Sequence, residues 1–385
     1  MNMAIDRTRP VETLNVADIL NALGIDCGVN AEEPIPYYVI PGNHGPRWLI
    51  PAGSRAAAAV LGIWHPYNLS SRMKWLAVRM AARAGVLQFL HSVTKVNTSR
   101  TGALRWHERC GVRSQAGEMV IFAGNPSPHR KLAVFLLDDA RHIAAVCKVG
   151  LMPSGGHCVL HEAEVLRKLE PYRWAPKPLS VYPELRAAAQ AFVPGEMPGC
   201  GFRTEYMDLL CRLPMSGEST SLADVAGELV RKLAPYKERI DQLAPGLLER
   251  SLGNLDCNAT VRRILVHGDF TPWNMRKNPE AGYVLVDWEW ADFAGLPACD
   301  LLHFHFCCDF LFGKQASGYL SNRSLKRYAE YFRRMDIDIE LLPRLAVAYL
   351  LDQLRPGNYR GLGHQKHMEY LIFQLNGINA SLGRK

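Results

Sequence analysis

No stretch of this 385-residue chain approaches the roughly 18 uninterrupted apolar residues that a membrane-spanning helix needs. Its first residues, MNMAIDRTRPVETLNVADIL, carry charge early and lack the apolar core of a signal peptide, so a cytosolic location is the expectation. Ten cysteines are present, yet no C-x-x-C pair occurs, and the adjacent Cys307 and Cys308 suit neither zinc nor an ordinary disulfide. They read as reduced, mostly buried thiols. Internal repeats and long low-complexity linkers are also missing. A G-x-x-x-x-G-K-[ST] loop occurs nowhere, which argues against the P-loop way of cradling phosphate. No nucleic-acid motif accompanies the net charge of +8, so no nucleic-acid partner is expected; the basic excess fits an ordinary surface as well as an anionic ligand.

What is present is a globular balance, 48% hydrophobic and 21% charged, in a length that holds two or three domains. Residues 1–115 carry none of the chemistry found later and read as an N-terminal extension of unknown role. Within it, strand-like runs around Tyr37–Ile40 and Arg47–Ile50 flank a Pro-Gly-Asn turn. A helix is expected from Ser70 to His91. There Met73, Leu76, Ala77, Met80, Ala84 and Leu87 recur at helical spacing, and Arg72, Arg79 and Arg83 gather elsewhere on the wheel. Such a helix can lie on an anionic membrane. The favoured expectation is that its apolar stripe packs on its own protein and the arginines face water.

Residues 116–195 read as a compact antiparallel sheet with one packed helix. Three strand-like runs, EMVIFAG, KLAVFLLDD and HIAAVCKVG, precede the helical HCVLHEAEVLRKLEPY, with Val159, Ala163, Leu166 and Leu169 on one side; the apolar run RAAAQAFVPG follows. Residues 196–385 are largely helical, most clearly in DVAGELVRKLAPYKERIDQL and beyond Asp300, with a strand–loop–strand region at 262–288. The fold class is α+β.

Two strings carry chemistry. HGDFTPWN (His267–Asn274) and VLVDWEW (Val284–Trp290) place Asp269, Asn274 and Asp287 on tight turns beside strand-like runs. One carboxylate to orient a hydroxyl, with an amide oxygen and a second carboxylate to hold metal, is the set that magnesium-dependent phosphoryl transfer uses. The order of elements and motifs resembles the aminoglycoside phosphotransferase and choline kinase-like group of the protein-kinase-like superfamily, over residues 117–310 and more weakly to the C-terminus. HGDFTPWN is similar to that group's H-G-D-x-x-P-x-N loop, VLVDWEW to its I-D-W-E metal turn, and LPACDLL to the aspartate-containing segment that follows. The resemblance implies a two-lobed protein-kinase-like fold with ATP and Mg2+ as cofactors. It also implies that Asp269 is the catalytic aspartate, that Asn274 and Asp287 ligate magnesium, and that His267 fixes the loop through a hydrogen bond to Asp300.

A kinase-like site also needs a strand lysine near the α- and β-phosphates, paired with a helix glutamate. Lys148 ends the apolar run IAAVC, a poor place for an ammonium without a partner. Glu162 lies in HEAEVLRKL, which resembles the family's R-E-A-x-x-L pattern with His161 in place of the arginine; Glu164 points to another face. The loop expected over the phosphates, Gly124-Asn125-Pro126-Ser127-Pro128-His129, has one glycine in place of a G-x-G-x-x-G set, and its two prolines donate no N–H. Ser127 and few amides are left to bind phosphate. AQAFVPG is similar to the family's hinge, which implies main-chain adenine contacts near Gln190 and Phe192.

The expected activity is ATP- and magnesium-dependent transfer of a γ-phosphate to a hydroxyl of a small molecule. Two alternatives stand beside it: the same chemistry on a sugar, glycan, lipid headgroup or protein, and a pseudokinase that binds or scaffolds. The acceptor is the least legible part. Glu289, Asp292, His303, His305 and Asp309 follow closely on the metal aspartate as candidate pocket residues, and Trp273, Trp288 and Trp290 are candidates for an aromatic cage around a choline-like cation. A basic chain without a dense acidic run near its C-terminus is a poor match to a polycationic acceptor. No pattern in the sequence speaks to oligomeric state.

Overall fold

The computed structural model describes residues 14–28, 33–52, 57–63, 66, 69–90, 93–312, 322–355 and 364–383. They fall into two compact units: one runs to Met197 and includes Arg276–Glu289, the other comprises Pro198–Met275 and the residues from Trp290 onward.

The first unit is built on one antiparallel sheet: β1 (Pro34–Gly42), β2 (Gly45–Pro51), β3 (Thr94–Ser99), β4 (Met119–Ala123), β5 (Lys131–Leu137), β6 (Ile143–Gly150), β7 (Pro178–Tyr182) and β8 (Ala187–Ala191). The spatial order is β3-β1-β2-β4-β5-β6-β8-β7. Its helices are α1 (Val16–Ala22), α2 (Ala57–Ile63), α3 (Leu69–Ala84), α4 (Arg100–Arg109) and α5 (Pro153–Lys168). The N-terminal strands continue the sheet, since β2 pairs with β4 at Trp48↔Phe122 and Leu49↔Ile121. Alternation along β4 divides its side chains between two cores. Met119, Ile121 and Ala123 join Ile19, Leu20 and Trp106, from α1 and α4. Val120 and Phe122 join Val60 and Leu61 of α2 and Trp75, Val78, Ala81 and Ala82 of α3 on the other face. Helices contributed by the first 115 residues therefore cover both faces of this half of the sheet.

Helix α3 departs from expectation in two ways. It ends at Ala84, because Gly85 takes φ +73° and a single 3-10 turn, Leu87–Phe89, follows; His91 lies outside the described residues. Its core-facing side is the one bearing Trp75, whose Nε1–H donates to the Leu61 carbonyl at 3.0 Å. Met73, Leu76 and Met80, the stripe expected to pack inward, are exposed. The helix is apolar on two sides, and the side with the bulky indole fills the core. All ten cysteines are free, but only four are buried and six are half-buried, short of the mostly buried set expected.

The second unit contains β9 (Met215–Ser221), β10 (Thr260–Val266) and, beyond the two-stranded ribbon of β11 (Met275–Asn278) and β12 (Gly282–Leu285), β13 (Asp292–Gly295). β13, β10 and β9 form a three-stranded sheet in that order. The remainder is helical: α6 (Thr204–Leu210), α7 (Leu222–Leu233), α8 (Lys237–Leu243), α9 (Leu247–Gly253), α10 (Cys299–Phe312), α11 (Asn322–Arg334), α12 (Leu342–Gln353) and α13 (His364–Leu382). α12 is buried almost all round, from Leu345 to Leu351, and so serves as the central helix. The class is α+β as expected, a sheet with a packed helix in one unit and a mostly helical second unit. Strands β1–β3 and β7 enlarge the sheet. Among the described residues no helix is long and apolar enough to cross a membrane.

Candidate functional site

The HGDFTPWN loop leaves β10 and closes in a single 3-10 turn, Pro272–Asn274. Gly268 sits at φ +75°, where a Cβ would meet the Trp290 carbonyl oxygen at 2.2 Å, so glycine is required at this corner. Asp300, in the first turn of α10, holds the loop by its main chain. Its Oδ2 accepts the His267 N–H at 2.7 Å and its Oδ1 the Gly268 N–H at 2.9 Å. The His267–Asp300 contact thus runs through the His267 backbone, while the His267 ring accepts the Asp269 N–H on Nδ1 at 3.2 Å.

Asp269 is buried and held on both carboxylate oxygens. Oδ2 accepts from Asn274 Nδ2 at 2.7 Å, and Oδ1 lies 3.0 Å from His303 Nε2. His303 Nδ1 lies 3.0 Å from the Tyr349 hydroxyl of α12. Burial pushes the His303 imidazole down to about 4 and the Tyr349 phenol up. A neutral ring beside a protonated phenol fixes the tautomer: Tyr349 O–H donates to Nδ1, and Nε2–H donates to Asp269. Asn274 directs Nδ2 at both Oδ2 and the main-chain oxygen of Asp269, which leaves its amide oxygen unused inside the loop. His303, one of the candidates for an acceptor pocket, is buried and makes this bond to Asp269. Its place three residues after Asp300 on one helix face was the signal available in the sequence.

These groups give a pH dependence of stability. Unfolded, His303 titrates near 6.5; folded, near 4. Between those values the unfolded chain binds a proton that the folded chain refuses, so this group weakens the fold as pH falls from 6.5 to 4. Asp300 opposes it, since burial raises its carboxyl from 3.8 to about 6 despite two N–H bonds that favour the charged form. His303→Gln removes the first effect and, with it, the charge that lowers the Asp300 carboxyl, which leaves the opposing effect at least as strong. The variant should therefore lose less stability than the wild type when acidified from pH 6.5 to 4.5, read as the shift in urea midpoint; an equal or larger loss would contradict the assigned neutral imidazole.

In the first unit, Lys148 projects from the face of β6 opposite Cys147 and Val149. Its Nζ lies 2.6 Å from both Glu162 carboxylate oxygens on α5 and 2.8 Å from Asp287 Oδ1. Pro153 opens α5 at a position where its missing N–H costs nothing. Gly150 and Gly156 let the helix start lie against β6: a Cβ on Gly150 would meet the Gly156 nitrogen at 2.2 Å. Glu162 Oε1 also accepts the Trp288 N–H at 3.2 Å. Glu164 is exposed and pairs with Lys168 along the helix. Asp287 takes φ +72°, a left-handed conformation that is costly without glycine and concentrates at functional turns.

Lys131 escaped the sequence reading. It opens β5 on the face that carries Lys148, and its Nζ bonds Asp287 Oδ1 at 2.6 Å and Glu289 Oε2 at 2.7 Å. Burial lowers this ammonium, but Asp287 and Glu289 outweigh burial and hold it above its ordinary value. Burial likewise raises the Asp287 carboxyl, and Lys131 and Lys148 together bring it well below the carboxylate range. Even register with Ala133, which pairs with Lys148, was the only hint in the chain.

The remaining expected residues fare unevenly. Ser127 is half-buried, and its carbonyl accepts the Arg130 N–H at 3.0 Å; the Gly124 N–H is committed to Lys131 O at 3.0 Å. The loop therefore closes on itself with its one glycine amide engaged. Gln190 is buried and lines a small cavity with Lys148, Glu162 and Leu166. The Phe192 N–H donates to Ala144 O at 3.2 Å, so this main-chain donor belongs to the sheet and is not open to adenine. Among the acceptor candidates, Glu289 is tied to Lys131, exposed Asp292 caps the Ala294 N–H, and His305 bonds the Tyr328 hydroxyl at 2.5 Å. Trp288 is fully buried against Trp174 and forms no cage, whereas Asp309, Trp273 and Trp290 are half-buried.

Among the described residues no three His, Cys, Asp or Glu side chains converge to hold a metal. Magnesium needs few protein oxygens when phosphate and water supply the rest. Each unit has one hard oxygen donor left over by the contacts above, the Asn274 amide oxygen in the second and Asp287 Oδ2 in the first.

A model of the phosphotransferase enzyme family matches residues 205–337, the segment holding Asp269, Asn274, Asp287 and Asp300. Over that segment the resemblance read from the two strings is borne out. Similar solved structures include macrolide 2'-phosphotransferase MphH from Brachybacterium faecium, 19% identical over 72% of this chain and 97% of that one, with a TM-score of 0.42. Choline kinase LicA from Streptococcus pneumoniae is 13% identical over 64% of this chain and 89% of its own, TM-score 0.42. A streptomycin–ATP ternary complex of APH(2")-IIa is 15% identical over 71% and 94%, TM-score 0.42. No curated protein matches the chain.

Proposed function

We propose that this protein transfers the γ-phosphate of ATP to a hydroxyl group of a small molecule in a magnesium-dependent reaction. The observation that carries the reading is Asp269, a buried carboxylate fixed on both oxygens by Asn274 and His303. So held, it can align an acceptor hydroxyl and take its proton as the new O–P bond forms and the bond to the ADP oxygen breaks. Lys148, locked by Glu162, and Lys131 supply positive charge for the phosphates. The second lysine offsets a loop with few free amides. Asn274 and Asp287 would hold magnesium, which neutralises charge on the transferring phosphoryl group. Transfer is direct, with no phosphoenzyme.

The test is a screen of pooled hydroxyl compounds, including aminoglycosides, macrolides, choline, sugars and nucleosides, for acceptor-dependent ADP release and a phosphate mass gain. One active acceptor class is expected. If no pool releases ADP and millimolar Mg-ATP does not raise the melting temperature, the chain is a binding or scaffolding module instead.

A further inference from the structure

The positive charge of this protein is unevenly placed. From Pro34 to His107 there are nine Lys and Arg and no Asp or Glu, so with a net charge of +8 the rest of the chain sums to −1. Helix α3 lies in the middle of that segment. Its inner side, Trp75, Val78, Ala81 and Ala82, belongs to the core of the first unit. Its outer side carries Met73, Leu76 and Met80 at 61%, 48% and 62% exposure, spaced three and four residues apart on one face. Past the helix end Val86 and Phe89 are exposed at 40% and 77%. At 100° per residue, Arg72 and Arg83 border the outer stripe on one side and Lys74 on the other, and all three are exposed.

Single exposed apolar side chains are ordinary, but a row of long ones rimmed by cations marks a surface with a partner. The charge pattern selects the partner. A second copy of the chain would set Arg72, Lys74 and Arg83 against themselves. A nucleic acid would satisfy the cations and leave the Met and Leu row in water. A bilayer with anionic headgroups satisfies both, because apolar side chains enter the acyl boundary while Lys and Arg reach the phosphates.

We infer that α3 and the turn after it dock this protein on an anionic membrane surface, with Met73, Leu76, Met80 and Phe89 inserted and Arg72, Lys74 and Arg83 at the headgroups. The helix lies in the interface and does not span it. This attachment is independent of the proposed phosphotransfer.

Co-sedimentation of the full chain with vesicles of phosphatidylcholine alone, or mixed with phosphatidylglycerol, tests it. Binding to the anionic vesicles is expected, weakening as salt is added. Met73→Ser/Met80→Ser and Arg72→Glu/Arg83→Glu should each lower vesicle affinity about tenfold or more. Both change exposed side chains, so circular dichroism and melting temperature should match the wild type. No pelleting with anionic vesicles, or equal pelleting of wild type and both variants, overturns the proposal. So does a concentration-dependent dimer that Met73→Ser/Met80→Ser abolishes, or retention of duplex DNA in place of vesicles.

Discussion

Asp269→Asn should lower phosphotransfer turnover by about 10²–10⁴-fold, the range attributed to a positioned acid–base group, while the chain stays folded. The loss follows from chemistry, since an amide takes no proton from a hydroxyl. The retained fold follows from the surroundings. Asp269 faces two donors, Asn274 Nδ2 and His303 Nε2. An amide satisfies one with its oxygen and presents an NH2 to the other. His303 can absorb the mismatch by changing tautomer: Nε2 then accepts, and Nδ1–H donates to the Tyr349 oxygen 3.0 Å away. Asp269→Ala has no such escape: His303 Nε2 loses its acceptor, at a cost of about 1–3 kcal/mol, and Asn274 Nδ2 keeps only the main-chain oxygen of residue 269. The pair of variants should therefore separate in melting temperature and coincide in lost turnover. ADP release at saturating ATP and acceptor, with a thermal melt of the same samples, checks both. Near-wild-type turnover in Asp269→Asn would remove this residue from the mechanism.

The part of this arrangement visible in the sequence was the part made by short, contiguous strings. HGDFTPWN shows Asp269, its Asn274 donor and the glycine corner because all three lie within one turn of chain. The Lys148–Glu162 contact was foreseeable because an ammonium at the end of an apolar strand needs a partner and the next helix offers a glutamate. What stayed hidden depends on register and on which side of an element faces the core. The pairing of β5 with β6 sets Lys131 on the face of Lys148, and its contact with Asp287 spans 156 positions of sequence. His303 reads as a polar residue on an apolar helix until α10 is seen to direct it at Asp269. The periodicity of α3 was read, but a helix apolar on two sides does not say which side packs, and Trp75 decided it. Strand β9, MSGESTS, has no apolar alternation and is a strand only because β10 pairs with it.

Removing the Lys148 ammonium should produce two separable losses. In Lys148→Met, Glu162 remains almost fully buried with the Trp288 N–H as its remaining described donor, and breaking a buried pair in this way costs about 3–5 kcal/mol. Asp287 is less affected, because Lys131 still reaches its Oδ1 at 2.6 Å. Turnover should fall as well, by about 10²–10³-fold, the scale of one lost charge-stabilising donor. Adding Glu162→Gln removes the orphaned carboxylate, so the double variant should regain most of the lost stability in a urea titration. It should regain none of the turnover, since the cation for the phosphates is still missing. A pair that served only to hold β6 to α5 would give the opposite pattern: turnover would return together with stability. Recovery of both in Lys148→Met/Glu162→Gln would therefore assign the pair to the fold and leave Lys131 as the phosphate-binding cation of this face.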